Sequence, residues 1–321
     1  MRSVNNIIIA MPERLGDTLF RTPLLRLLKT IIFHVNIDVI APTDLSYEVL
    51  NHNPYINKLF LHLGIEQIVK LKNNYDLVID VSGSEYMGNL IKEFNGEHIS
   101  YVDDPALNVH STEKSLQFFA KLFQYDLSNF TKQYDIYPQQ ENFTHVEKLL
   151  SIKNVDVNNE ILIGFHMGCY SLAKKRTRLW NKFFHPRVWP LKNFIGLAKK
   201  LREYNSSIRI ILTGTKEEIK LGKVFCKKFP DSINLINQTS VLDLAALMSY
   251  LQLFISNDTG SMHVACTSNV NVIALFGISN PIINMPYPTS PNRVVLFKQV
   301  IADITVDEVF QAVCKYISIR K

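Results

Sequence analysis

Short apolar runs alternate with helical periodicity along almost the whole chain, and that alternation constrains the fold more than any other feature of the sequence. Strand-like runs lie at residues 6–10, 36–40, 57–61, 76–81 and 98–102, with helical patterns at 24–29, 65–71 and 113–123 between them. Runs this short and this apolar suit strands buried on both faces. Parallel pairing requires a crossover, and the intervening helices supply it. Residues 126–142 are polar and read as an edge region, and 143–152 read as helical. Residues 153–160 are rich in Asn and Asp, lack apolar periodicity and read as a linker. The pattern restarts with Ile161-Leu162-Ile163-Gly164-Phe165-His166. Further strands are expected at 208–213, 233–236, 252–256, 271–275 and 293–297, and helices at 191–203, 216–229 and 241–249. Ser240-x-x-Asp243 opens the last of these as a capping box. The expected organisation is an α/β chain of two doubly wound units, 1–152 and 153–321. A final amphipathic helix at 305–318, with Val306, Val309, Phe310, Val313 and Ile317 on one face, packs either on its own unit or back on the first.

Composition narrows the class. With 321 residues, 47% hydrophobic and 20% charged, the chain suits two globular domains and not a disordered one. A net charge of +6 favours an anionic partner such as a nucleotide sugar, a phosphorylated glycolipid or an acidic membrane surface, although solubility alone also accounts for it. No nucleic-acid fold signature accompanies that charge, so no nucleic-acid partner is expected. The four cysteines (Cys169, Cys226, Cys266 and Cys314) form no CxxC pair, which fits a reducing cytoplasm better than a zinc site or disulfide framework. No apolar run has the length of a transmembrane helix, and residues 7–10 are too short for a signal peptide. The expectation is a cytoplasmic protein, acting at most from the membrane surface.

Two polar turns stand out against this background. Asp258-Thr259-Gly260-Ser261-Met262-His263 follows one buried run and opens a helix before the next. Free N–H groups at a helix start attract anions, Gly260 permits close approach to the backbone, and Thr259 and His263 add side-chain donors. An ordinary capped helix fits the same residues equally well. At the other end, Arg14-Leu15-Gly16-Asp17-Thr18 follows the first strand, placing Asp17 at a helix start on the carboxyl side of the sheet, where doubly wound folds carry their active sites. GxGxxG and the Walker A spacing are both absent, and a helix cap again explains Asp17. Pro23, a few residues on, predicts a kink or a delayed helix start. His34, His52 and His62 read as surface or strand-end residues.

Taken together, these motifs resemble the heptosyltransferase family, glycosyltransferase family nine. The resemblance is carried by Arg14-x-Gly16-Asp17-x-Leu19-x-x-Thr22-Pro23-x-Leu25-Arg26, His166-Met167-Gly168, Arg187-Val188-Trp189-Pro190 and Ser256-Asn257-Asp258-Thr259-Gly260-x-x-His263. It implies the GT-B architecture, with two Rossmann-like domains facing across a cleft, the first acceptor-side and the second donor-binding. It also implies inverting, metal-independent transfer of heptose from ADP-heptose to the lipopolysaccharide inner core. No cofactor is implied beyond the nucleotide-sugar co-substrate. The partners are that donor, a lipid-linked glycan acceptor and an anionic membrane surface at the inner face of the cytoplasmic membrane.

By the same resemblance Asp17 is the general base. Asp258, Thr259, Gly260 and His263 hold the donor diphosphate and sugar, Arg187 lies near the phosphates, and Glu217 binds the ribose. Gly168, Cys169 and Thr239 fall at further donor positions. Arg14, Thr18, His166, Lys174, Lys175 and Arg176 are candidate phosphate or acceptor contacts. The basic stretch from Lys174 to Lys182 departs from the family pattern and reads as a phosphate clamp, a contact to acidic sugars or lipid, or a solvated loop. Met262 replaces a small polar residue, which suggests an altered donor pocket. Acceptor contacts are expected from Ser82-Gly83-Ser84-Glu85 and Asp103-Asp104-Pro105. Two other functions fit: transfer from a different nucleotide sugar, or catalytically silent binding of a sugar nucleotide. A binding module has no need of a base such as Asp17, which weighs against the second.

Overall fold

The structure, a computed structural model, describes residues 4–169 and 186–317. The chain divides into two compact units, Met1–Tyr137 and Pro138–Lys321. The first contains β1 (Asn6–Ala10), α1 (Leu15–Ile31), β2 (Asn36–Ala41), α2 (Asp44–Leu50), β3 (Lys58–Leu61), α3 (Ile65–Leu71), β4 (Leu77–Asp80), α4 (Glu85–Ile91), β5 (Glu97–Ser100) and α5 (Ser111–Leu122). Its strands form one parallel sheet in the order β3-β2-β1-β4-β5. The order reverses between β1 and β4, so the crevice for ligands lies at their carboxyl ends. Strand β1 is central and buried on both faces: Ile7 and Ile9 enter one core with α1 and α5, and Ile8 and Ala10 enter a second with α3 and α4.

Helix α1 does not start late at Pro23. It begins at Leu15 and runs through the proline. Pro23 cannot donate to the carbonyl of Leu19, but the hydroxyl of Thr22 does so at 2.8 Å, so that carbonyl keeps a donor. Gly16 likewise lies inside the helix and does not form a separate tight turn. The polar stretch after α5 is lashed to α1 by Arg26, whose guanidinium bonds both carboxylate oxygens of Asp135 and the carbonyls of Thr131 and Gln133.

The second unit contains α6 (Gln140–Ile152), β6 (Ile161–His166), α7 (Leu191–Tyr204), β7 (Ile208–Thr213), α8 (Ile219–Lys228), β8 (Ile233–Asn234), α9 (Val241–Met248), β9 (Leu253–Asn257), α10 (Gly260–Ala265), β10 (Asn271–Phe276), α11 (Pro281–Asn284), β11 (Arg293–Phe297) and α12 (Val306–Cys314). Its parallel sheet runs β11-β10-β9-β6-β7-β8, with the reversal between β6 and β9.

The division between units falls earlier than residues 153–160, which form only the turn from α6 into β6. Helix α6 packs on α9 of the second unit, where Asp243 accepts from Asn142 at 2.8 Å and lies 3.0 Å from the His145 imidazole. Burial acts to raise the Asp243 carboxyl, but hydrogen bonds from Asn142, Ser240 and His145 hold it below its usual range. Helix α12 docks on α7 of its own unit through Val309, Phe310 and Val313. The indole of the buried Trp189 donates to Ile304 O at 2.8 Å just ahead of it.

Candidate functional site

In the second unit the expected donor residues gather at the carboxyl ends of β6 and β9, the point where strand order reverses. Asn257 ends β9 and ties the two strand-end turns together. Its Nδ2 donates to Met167 O (3.0 Å) and Gly168 O (3.2 Å), and its Oδ1 accepts from Trp189 N at 3.0 Å. One fully buried amide thereby fixes the end of β9 to both ends of the connection between β6 and α7. Asp258 is buried beside it and accepts from Arg187. Thr259 caps α10 through its backbone conformation, while its hydroxyl lies 3.3 Å from Ser256 Oγ. Gly260 opens α10, leaving the first amides of the helix at the turn.

Several sequence-predicted residues serve the framework instead of facing the turn's open side. His263 is buried within α10, and Met262 is fully buried in the core, so it does not reshape a donor pocket. His166 is buried at the end of β6 with Nδ1 3.2 Å from the Thr213 hydroxyl, and burial depresses its pKa to about 4. Cys169 is buried in the turn after β6, and Thr239 is half-buried just ahead of α9. Glu217 is half-buried in the helical turn after β7, but the adjacent Glu218 is the carboxylate that reaches the β6 turn. Glu218 accepts from Thr215 N and Thr215 Oγ1, both at 2.7 Å, and lies so close to Gly168 that a Cβ there would meet Glu218 Oε1 at 2.2 Å. Burial raises the Glu218 pKa, with the Thr215 bonds opposing. Lys174, Lys175, Arg176 and the rest of the basic stretch lie outside the described residues.

In the first unit, Asp17 sits half-buried in the first turn of α1, just beyond the end of β1. Arg14 is exposed at the helix cap. Thr18 is fully buried and donates to Pro12 O (3.0 Å) and Arg14 O (2.9 Å), so it secures the turn and does not face solvent. One turn below Asp17 lies Arg21, buried, with Nη1 donating to Ser111 O at 2.8 Å and its guanidinium 4.7 Å from the centre of the Tyr101 ring. Burial lowers its pKa, while the Tyr101, Asp17 and Asp103 charges raise it. Tyr101 donates to Asp103 at 3.0 Å, and the buried Lys114 bonds Asp103 at 3.2 Å and Asp104 O at 3.0 Å.

The sequence gives no role to Arg21, Lys114 or Glu218, and Asn257 enters only as a motif residue without a role of its own. Arg21 was detectable at i+4 from Asp17 on one helix face, and Asn257 as the neighbour of Asp258. Nothing local marks Lys114. Among the described residues no three His, Cys, Asp or Glu side chains converge as metal ligands would, and no helix is long and apolar enough to cross a membrane.

Solved structures share this fold. A glycosyl transferase family 9 protein from Veillonella parvula matches with a TM-score of 0.82 over 97% of both chains at 20% identity. The ADP-heptose lipopolysaccharide heptosyltransferase II of E. coli matches with a TM-score of 0.75 over 97% of this chain and 98% of its own, at 19% identity. The fold and its strand-end turns define a two-unit α/β protein of the GT-B class. The sequence profile of glycosyltransferase family 9 (heptosyltransferase) matches residues 67–309. Lipopolysaccharide heptosyltransferase 1 of Campylobacter coli is 24% identical over 318 residues, covering 90% of this chain and 88% of the relative. The chain belongs to glycosyltransferase family 9, the heptosyltransferases.

Proposed function

We propose that the protein is an inverting, metal-independent glycosyltransferase that moves heptose from ADP-heptose onto an inner-core sugar of lipopolysaccharide. The observation that carries this reading is the strand-end constellation of the second unit. Asn257 locks the turns after β6 and β9, and Arg187 is held against the Asp258 turn that opens α10. Glycosyl transfer builds positive charge on the sugar ring and negative charge on the departing diphosphate. Preorganised amides and a fixed cation are what such a leaving group needs. The relatives' names, which specify heptose transfer to lipopolysaccharide and an ADP-heptose donor, favour that donor and acceptor.

Asp17 acts as the general base that takes the proton of the acceptor hydroxyl. The acceptor oxygen attacks the anomeric carbon from the face opposite the diphosphate as the bond to that diphosphate breaks and ADP departs, so the anomeric centre inverts in a single displacement. Positioned proton transfer of this kind contributes on the order of 10²–10⁴-fold. Arg21, buried one turn below, places a cation near that carboxylate. The nucleotide sugar is a co-substrate and no cofactor is required. The acceptor is lipid-linked, so the protein works as a peripheral visitor to the inner face of the cytoplasmic membrane.

The test is a thermal-shift panel with ADP, UDP and GDP, paired with transfer assays on Asp17→Asn. Stabilisation by ADP alone, with activity lost and ADP binding kept in Asp17→Asn, supports the reading. Stabilisation by UDP or GDP instead moves the donor to another nucleotide sugar, and full activity in Asp17→Asn removes that residue from catalysis.

A further inference from the structure

A pocket of about 440 Å³ opens in the first unit at the carboxyl ends of β4 and β5. At its floor is Asp80, the last residue of β4. One carboxylate oxygen, Oδ1, accepts from Ser82 N (2.8 Å) and Ser82 Oγ (2.6 Å), while Oδ2 takes no hydrogen bond among the described residues. What leaves Oδ2 open is Gly88, in the middle of α4, where an added Cβ would stand 3.0 Å from it. Glycine inside a helix is unfavourable by roughly 0.5–1 kcal/mol relative to alanine, so this opening is maintained against local propensity.

The surrounding groups share one chemistry. Ser84, Ser100 and Asn89 bring hydroxyl and amide groups. His98 lies with Nε2 2.9 Å from Phe94 O, so Nε2 donates there and fixes the ring at the pocket. Tyr101 forms a wall, fixed edge-on by Phe118 at 5.5 Å and by the Arg21 guanidinium over its face. A carboxylate oxygen with free lone pairs, hydroxyls, an amide and an aromatic wall match a ring that is polar around its edge and carries C–H groups on its faces. The volume fits the range of small-ligand pockets. Charge decides what kind of ring. Asp80 and Glu85 face a single lysine, Lys92, which is itself bonded to Asn89 Oδ1 at 3.0 Å, so an acidic sugar would meet more negative charge than positive.

We propose that this pocket binds an uncharged sugar ring, with ring hydroxyls donating to Asp80 Oδ2. As a subsite for a glycan acceptor it rests on the transferase reading, but the sugar binding itself does not. Saturation-transfer NMR on the full chain tests it, with methyl α-D-mannopyranoside and methyl α-D-glucopyranoside as neutral probes and glucuronate as the acidic one. Transfer to a neutral probe, weaker to glucuronate, is the expected result. Gly88→Leu fills the opening and should weaken binding by at least about tenfold, the cost of one lost hydrogen bond to a charged group, while ADP binding in the second unit reports that the fold is intact. If Gly88→Leu fails to fold, Gly88→Ala, which favours the helix, serves in its place with the same expected loss.

No transfer to either neutral probe, equal or stronger transfer to glucuronate, or undiminished binding in the folded variant overturns the proposal. Sugar binding without any nucleotide binding would sink the transferase reading and leave the pocket standing. Nucleotide binding without sugar binding does the reverse.

Discussion

Arg187 donates from a single nitrogen, Nη2, to both the backbone carbonyl (2.9 Å) and the carboxylate Oδ2 (2.8 Å) of Asp258. The residue that opens the turn after β9 is therefore fixed at backbone and side chain by one cation. Asp258 is only 4% exposed, so its charge has little water to fall back on. Replacing Arg187 with Gln should cost about 1–3 kcal/mol of stability, the penalty of a buried acceptor stripped of a charged partner. ADP affinity should fall by at least about tenfold. Urea unfolding and calorimetric titration with ADP measure both, and an unchanged affinity would remove Arg187 from the phosphate site.

Asn257→Leu should be more damaging to the site than its distance from any proton transfer suggests. The substitution leaves Met167 O, Gly168 O and Trp189 N without their partner in a buried setting. Each stranded group costs about 1–3 kcal/mol, so a clear drop in unfolding midpoint is expected. Asn257→Asp turns a donor into a carboxylate oxygen facing two buried carbonyls, so it should be destabilising as well, and more so as pH rises.

The buried His166 makes stability depend on pH in a known direction. Its pKa falls from 6.5 to about 4 because burial disfavours the imidazolium. Between those values the unfolded chain binds a proton that the folded chain refuses. Stability is complete above 6.5 and is lost as pH falls towards 4, reaching about 3 kcal/mol for this one group. Urea midpoints at pH 7.5, 5.5 and 4 should follow that decline, and His166→Asn should flatten it.

Glu218 has the opposite sign. Burial raises its carboxyl above the ordinary 4.5, so the folded chain holds the proton longer than the unfolded one. Its contribution is present below the unfolded value and is lost as pH rises through the folded value. Glu218→Gln keeps an acceptor for Thr215 N and has no charge to bury. The variant should match wild type at pH 4 and exceed it increasingly as pH rises, as read by the difference in urea midpoints.

Much of the fold was legible because strand and helix periods differ. The runs at 6–10, 161–166, 208–213 and 293–297 coincide with β1, β6, β7 and β11. The capping box at Ser240 marks the true start of α9, and the structure shows a second such box, Thr305 with Glu308, at the start of α12. Helices α2 and α4 were not legible although the equally short α3 was, and in α4 the helix is carried through Gly88, a poor helix former. The unit boundary was misplaced because the Asn- and Asp-rich stretch at 153–160 imitates a linker. What assigns α6 to the second unit is its contact with Asp243 on α9, about a hundred positions away.

The sequence by itself determined that this chain forms parallel α/β sheets, which turns are polar, and which family it belongs to, since each of these is written in local spacing and short motifs. What the polar residues do was set by the packing of distant elements. Thr18 and His166 are turned inward as framework, while Asn257, Glu218 and Arg21 become the groups that shape the sites. The reason is physical. Whether a polar side chain meets a ligand or a buried carbonyl depends on which strand ends the sheet order makes neighbours, and strand order is a property of long-range pairing that no local spacing encodes.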